Sequence, residues 1–147
     1  GNAWCTDNPH GKWRSKQIGG DHCPFLTLHN GENVFQANIG DVNFGHMCDG
    51  SIYHTAWELV KEGRQAMTDV EKRICENITL DYLNNFRNKE EYVAYNSAFW
   101  TGAVVNENGW KEMSDAQSTK DWVLNFHSSF LQGLDNKTLL TIFEINT

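Results

Sequence analysis

The run "VNENGWKEMSDAQSTKDW", residues 105–122, holds the densest set of side chains that could do chemistry. Asn106, Glu107, Asn108, Asp115, Gln117 and Asp121 offer amides and carboxylates, and Trp122 offers a flat ring with one N–H donor. Such groups hydrogen-bond to and stack on a ligand, so these seven are the candidate ligand-binding residues. Glu107, Asp115 and Asp121 are also carboxylates of the kind that bind calcium. Calcium, however, takes roughly six to eight oxygens, and a solvated loop explains the three acids better.

Other constellations carry less. "DHC" at 21–23 and "HMC" at 46–48 each set a histidine beside or near a cysteine, but the spacing within each pair is shorter than closed zinc sites use. No metal or other cofactor is expected. Glu90 and Glu91 read as a helix start favoured by the helix dipole. His29, His54 and His127 are isolated, and no nucleophile elbow, zinc-protease, phosphate-loop or dinucleotide motif occurs. The chain is therefore read as a non-enzyme, with no catalytic residue to nominate.

Composition narrows the partners. Twelve basic against nineteen acidic residues give a net charge of −7, which disfavours nucleic acid and anionic membrane surfaces. No apolar run is long enough to insert into a bilayer, and oligomeric state has no sequence signal. The opening shows no signal peptide, so Gly1 is read as a mature or trimmed end. Cys5, Cys23, Cys48 and Cys75 lie 18, 25 and 27 residues apart, which fits no metal or redox motif. An even count points to two disulfides with three possible connectivities, and locality favours Cys5–Cys23 with Cys48–Cys75. Sequons at Asn77 and Asn136 mark glycosylation sites, and with the cysteines they point to an extracellular protein, secreted or part of a surface ectodomain.

These residues need elements to position them. "FLTLHN" and "NVFQANI" read as strands joined by a turn at "HNGEN", with "VNF" as a further short run. From Ala56 through Leu59, Val60, Gly63, Met67 and Val70 the period becomes helical, and Thr55 with Glu58 has the form of a capping box. "NKEEYVAYNS" is a second helix capped by Asn88, with Glu91 completing the box. Strands return in "AFWTGAV", in "GWKEM" across an Asn-Gly turn, and in "LLTIFEI". Helices between strands predict an α+β fold, two central helices packed on antiparallel strands, with a disulfide-stapled N-terminal half. Trp57, Trp100 and Trp110 are expected in the core, with Gly102 allowing a close approach, and Trp122 is expected at a surface. Trp4 and Trp13 fit either place.

In this order the motifs resemble a divergent C-type lectin-like domain. "CPFLTLHNGENVF" at 23–35 is similar to the family's first strand near Cys-Pro, and "TAWELVKEG" at 55–63 to its Trp-Glu helix. "NKEEYVAYNSAFWTGA" at 88–103 resembles its second helix and Trp-x-Gly strand, and "NGWKEMSDAQSTKDW" at 108–122 its Gly-x-Trp strand, Ser-Asp and later Trp. The resemblance implies one extracellular domain over 1–147, with 1–22 as an N-terminal extension and 23–147 as the lectin-like region.

The departures bear on function. The family ties its first helix to its last strand by a disulfide, yet "EGRQ" occupies the helix position and no cysteine follows Cys75. "VEKRICENIT" reads as an insertion. The calcium-dependent sugar triplets are missing, since the only prolines are Pro9 and Pro24; the nearest substitute is "LDN" at 134–136. What the resemblance then implies is a recognition module that binds a protein or glycan ligand on a cell surface without that sugar site. Two other classes compete: the receptor-binding domain of a viral or pathogen surface glycoprotein, and a small secreted hydrolase. A hydrolase predicts a deep cleft holding His with Asp or Glu.

Overall fold

Leu26, Val42 and Ile142 come from three distant stretches of chain and meet in one buried cluster. The computed structural model that shows this describes residues 15–146, with Cys5, Trp4 and Trp13 outside the described residues. It is a mixture of helices and small antiparallel sheets, an α+β protein. The chain divides into two compact units. One contains residues 15–47 together with 99–146; the other is Cys48–Ala98.

The first unit is built of short two-stranded ribbons. Strand β1 (Ser15–Ile18) pairs antiparallel with β8 (Phe143–Asn146), and β2 (Leu26–Thr27) with β3 (Asn33–Val34). Strand β4 (Gln36–Asn38) pairs with β7 (Leu139–Thr141), and β5 (Ala103–Asn106) with β6 (Gly109–Glu112). The expected turn at "HNGEN" is present, with Gly31 at φ +91 and Leu28 N–H donating to Glu32 O at 2.8 Å. "VNF" is not a strand: Val42 makes only a single bridge to Leu28, and Phe44 opens the one-turn helix α1 (Phe44–Met47). Phe35, Phe44, Met47 and Phe99 pack around Leu26, Val42 and Ile142. Each such fully buried side chain contributes roughly 1.5–3 kcal/mol. Residues 15–18, expected as part of an extension, supply strand β1.

The second unit is helical. Helix α2 (Ser51–Val60) starts four residues before the expected Thr55. Asp49 Oδ1 accepts from Ser51 N–H at 3.0 Å and from its hydroxyl at 2.5 Å, while Thr55 only donates back to Ser51 O. The period from Ala56 to Val70 is not one helix: α2 ends at Val60, Gly63 adopts φ +75, and α3 (Asp69–Asn77) begins afresh. Thr68 caps α3, its hydroxyl accepting from Glu71 N–H at 3.1 Å while Glu71 Oε1 accepts from Met67 N–H at 2.9 Å. Met67 and Val70 therefore lie exposed rather than on a buried face. The segment expected as an insertion is α3 itself.

A short helix α4 (Leu80–Leu83) follows, and then α5 (Lys89–Ser97) with the expected cap. Asn88 Oδ1 accepts from Glu91 N–H at 2.9 Å, and Glu91 Oε2 from Arg87 N–H at 2.8 Å. Ala56, Trp57, Leu83, Phe86 and Tyr92 form the unit's core. Tyr92 is 1 % exposed, with the Phe86 ring 5.3 Å and the Trp57 ring 5.7 Å away, centre to centre. Burial pushes its phenol pKa above the ordinary tyrosine range, helped by the Tyr82 and Tyr53 phenols.

No disulfide forms among the described residues. Cys23, Cys48 and Cys75 carry free thiols, which corrects the expected Cys5–Cys23 and Cys48–Cys75 pairings and the stapled N-terminal half. Closeness in sequence was their only basis, whereas Cys75 faces solvent on α3 and Cys48 is half-buried ahead of α2. Among the described residues no helix is long and apolar enough to cross a membrane.

Candidate functional site

The β5–β6 hairpin closes with two residues, Glu107 and Asn108, between the paired Asn106 and Gly109. Gly109 takes φ +121, which suits a tight turn, and Asn106 Oδ1 accepts from Asn108 N–H at 2.8 Å. This turn stands on the rim of an open groove of about 1190 Å³ that lies wholly within the first unit. Leu26, Phe126, Leu131 and Ile142 make the groove's buried floor. Strands β5 and β7 both line it, and Trp100, 37 % exposed, adds an indole to its lining.

Charge on the groove is one-sided. Asp21, Glu107 and His22 line it, and among the described lining residues there is no lysine or arginine. Neither Asp21 nor His22 hydrogen-bonds to a described residue. The Cys23 thiol also lines the groove. Burial raises its pKa, with a smaller push from the Glu144 carboxylate, which leaves it protonated and a poor nucleophile at neutral pH.

Of the seven candidate residues, Asn106, Glu107 and Asn108 line this groove and the other four do not. Asp115 lies in a short turn, Met113–Asp115, where its Oδ2 accepts from Glu112 N–H at 2.9 Å. Gln117 is exposed. Asp121 sits in the first turn of α6 (Thr119–Phe126), whose N-terminus Ser118 caps by accepting from Asp121 N–H at 3.1 Å. The polar spacer thus runs from the Met113–Asp115 turn into the start of α6. Among the described residues no group of three His, Cys, Asp or Glu side chains converges in a way that could hold a metal ion.

The tryptophans divide differently from expectation. Trp122 is buried at 7 % exposure, not at a surface. Its Nε1–H donates to Thr101 O at 2.8 Å, and its ring lies 5.3 Å from Phe130 and 5.8 Å from Phe126. Trp100 is the exposed one: it precedes β5 instead of belonging to it, and so never enters the sheet that holds Trp110. Trp110 is half-buried, with Nε1–H donating to Glu112 at 2.5 Å, and Trp57 is buried as expected. A side chain added at Gly102 would meet nothing within 4 Å, so no close approach explains that glycine.

Sequence reasoning missed Asp21, Trp100, Leu134 and the β7 residues as groove lining. Only the exposure of Leu134 and Leu139 marks them now, and no local pattern announces it. Asn77, at the end of α3, and Asn136, in the turn before β7, are both exposed, as glycan attachment requires. Comparison with family models, with curated proteins and with solved structures gives no match.

Proposed function

We propose that the chain is an extracellular recognition module, lectin-like in build, that holds a protein or glycan ligand in the groove of its first unit without the calcium-dependent sugar triplet. One observation carries this reading: a concave, mostly apolar surface of about 1190 Å³ rimmed by the Asn106–Glu107–Asn108 turn and the exposed Trp100. Ligand sites are typically of this kind, apolar with a few polar groups that fix orientation. The hairpin, the Asn88-capped helix and the exposed sequons support the lectin-like and extracellular parts. The free thiols of Cys23, Cys48 and Cys75 withdraw the support that disulfides were expected to lend.

The test is a screen of the chain against a glycan array and against cell surfaces, with and without a chelator. The expected result is binding that survives chelator and falls at least tenfold in Trp100→Ala and Asn108→Ala, while Gln117→Ala binds like the parent. Equal binding by parent and groove variants would remove the groove from the reading. Loss on chelation would overturn its calcium-free character.

A further inference from the structure

Strand β7 carries a free edge into the groove. Ile142 N–H donates to Phe35 O at 2.7 Å and Ile39 N–H donates to Thr138 O at 2.8 Å. With Ala37 opposite Leu140, the ladder bonds therefore fall on 138, 140 and 142. The alternation turns the N–H and C=O groups of Leu139 and Thr141 away from β4, and none of these groups bonds to a described residue. Leu139 is 43 % exposed, and Leu139 and Thr141 both line the groove. On β5, the same counting applies. Met113 N–H reaches Gly102 O at 2.9 Å and the turn joins Asn106 to Gly109, which leaves the main chain of Val105 facing away from β6.

A groove whose lining is apolar but whose strands present unused main-chain donors and acceptors suits one class of ligand. We infer that it takes an extended peptide segment as an added β-strand on the free edge of β7, with apolar side chains at alternate positions and a lysine or arginine near Asp21 and Glu107. The receiving groups recur every second residue, roughly 6.6 Å apart, which is the repeat of a peptide strand. A sugar chain has no such repeat of paired donors and acceptors. Charge complementarity supplies the basic residue, because the charged groove lining is Asp21 and Glu107 with no described lysine or arginine against them. The inference rests on the groove reading above and narrows its ligand from protein or glycan to peptide strand.

The experiment pans the full chain against a random dodecapeptide display library, then measures the selected peptide, free in solution, by titration. Expected are alternating apolar sequences with a lysine or arginine, binding that falls at least tenfold when alternate peptide nitrogens are methylated, and a similar fall in Leu139→Pro with a markedly smaller one in Leu139→Ala, which trims only the groove lining. Proline removes one outward N–H at an exposed edge position, where it is tolerated, and alanine keeps it. The methylated peptides read the same bond without altering the protein. Glu107→Lys is expected to weaken the basic peptide at least threefold. Peptides that bind with methylation tolerated would overturn strand addition while leaving the groove reading intact. Glycans binding in a Trp100-dependent way, with no peptide selected, would do the same. Self-association lost in Leu139→Pro would give the edge to a second copy and overturn the peptide partner. No ligand of either kind would sink both readings.

Discussion

Tyr92 and Leu26 are both almost wholly buried, yet the cores around them are made differently. Around Tyr92 the packing is aromatic and comes from within one stretch, Cys48–Ala98, three of whose four helices begin at side-chain caps, on Thr68, Thr79 and Asn88. Leu26 is held by residues from three parts of the chain, joined by ribbons two to four residues long. Helices satisfy their main chain internally and caps settle part of the remainder. Two-stranded ribbons cannot, since each strand has an outer edge. The contrast separates a unit whose helices bond their main chain internally from one whose strands have outer edges, and the groove belongs to the latter.

Substitution at the two centres should show the difference most strongly. Tyr92→Ala is expected to cost about 4 kcal/mol, read by urea unfolding, with amide exchange rising most across α2 and α5. Exchange rising equally in β1 and β8 would erase the contrast. Gly19→Ala strikes the strand-built unit instead: Gly19 has φ +70, and a Cβ there would run into the Phe35 ring. Its cost is expected above about 1 kcal/mol, with Phe35 resonances shifted in an NMR spectrum. Trp122→Phe keeps an aromatic ring but loses the bond to Thr101 O, an expected loss of about 1–2 kcal/mol by thermal unfolding. A stability unchanged by that substitution would return Trp122 to the surface role first expected of it.

Smaller effects test the caps. Asn88→Ala and Thr68→Ala are each expected to cost about 1 kcal/mol, whereas Thr55→Ala, which removes no cap, should stay within about 0.5 kcal/mol of the parent. Glu71 gives the smallest signal. Its carboxyl is held below the ordinary glutamate range, first by the Met67 N–H and, against a desolvation penalty, also by Arg64 and Thr68. A lowered folded pKa means that its contribution is present above the ordinary value, about 4.3, and is lost as pH falls through the lower one. An NMR titration of Glu71 should show that lowered midpoint, and Glu71→Gln should flatten the acid limb of the stability curve.

What could be read from the residues was what is local. The Asn88 cap, the Asn-Gly hairpin and the turn at "HNGEN" were legible because a few adjacent side chains determine each, although Glu91 accepts from Arg87 N–H and not from the Asn88 N–H that a capping box uses. Thr55 and Glu58 imitated a cap inside a helix that opens at Gly50 with Asp49 accepting from Ser51, while the Thr68–Glu71 pair, which does open a helix, has the same spacing and went unread. Trp122, Val123 and Phe126 lie on one buried face behind the Ser118 cap, a helical signal hidden by the polar residues ahead of it. The groove could not be read at all. Its walls join residues from 21–26, 99–110 and 126–145, and contacts over such separations leave no periodic trace.

The pairing of β1 with β8 sets Ser15 opposite Asn146. In an antiparallel ribbon the bonds run across the strands, so a pull applied through those two positions acts along each bond in turn. Tension would peel this ribbon open like a zipper, at low force and one rung at a time, rather than meeting the collective resistance of strands dragged past each other lengthwise. Any load carried between the two ends would thus be felt first at Ser15 and Asn146, and next at Gln17 and Glu144.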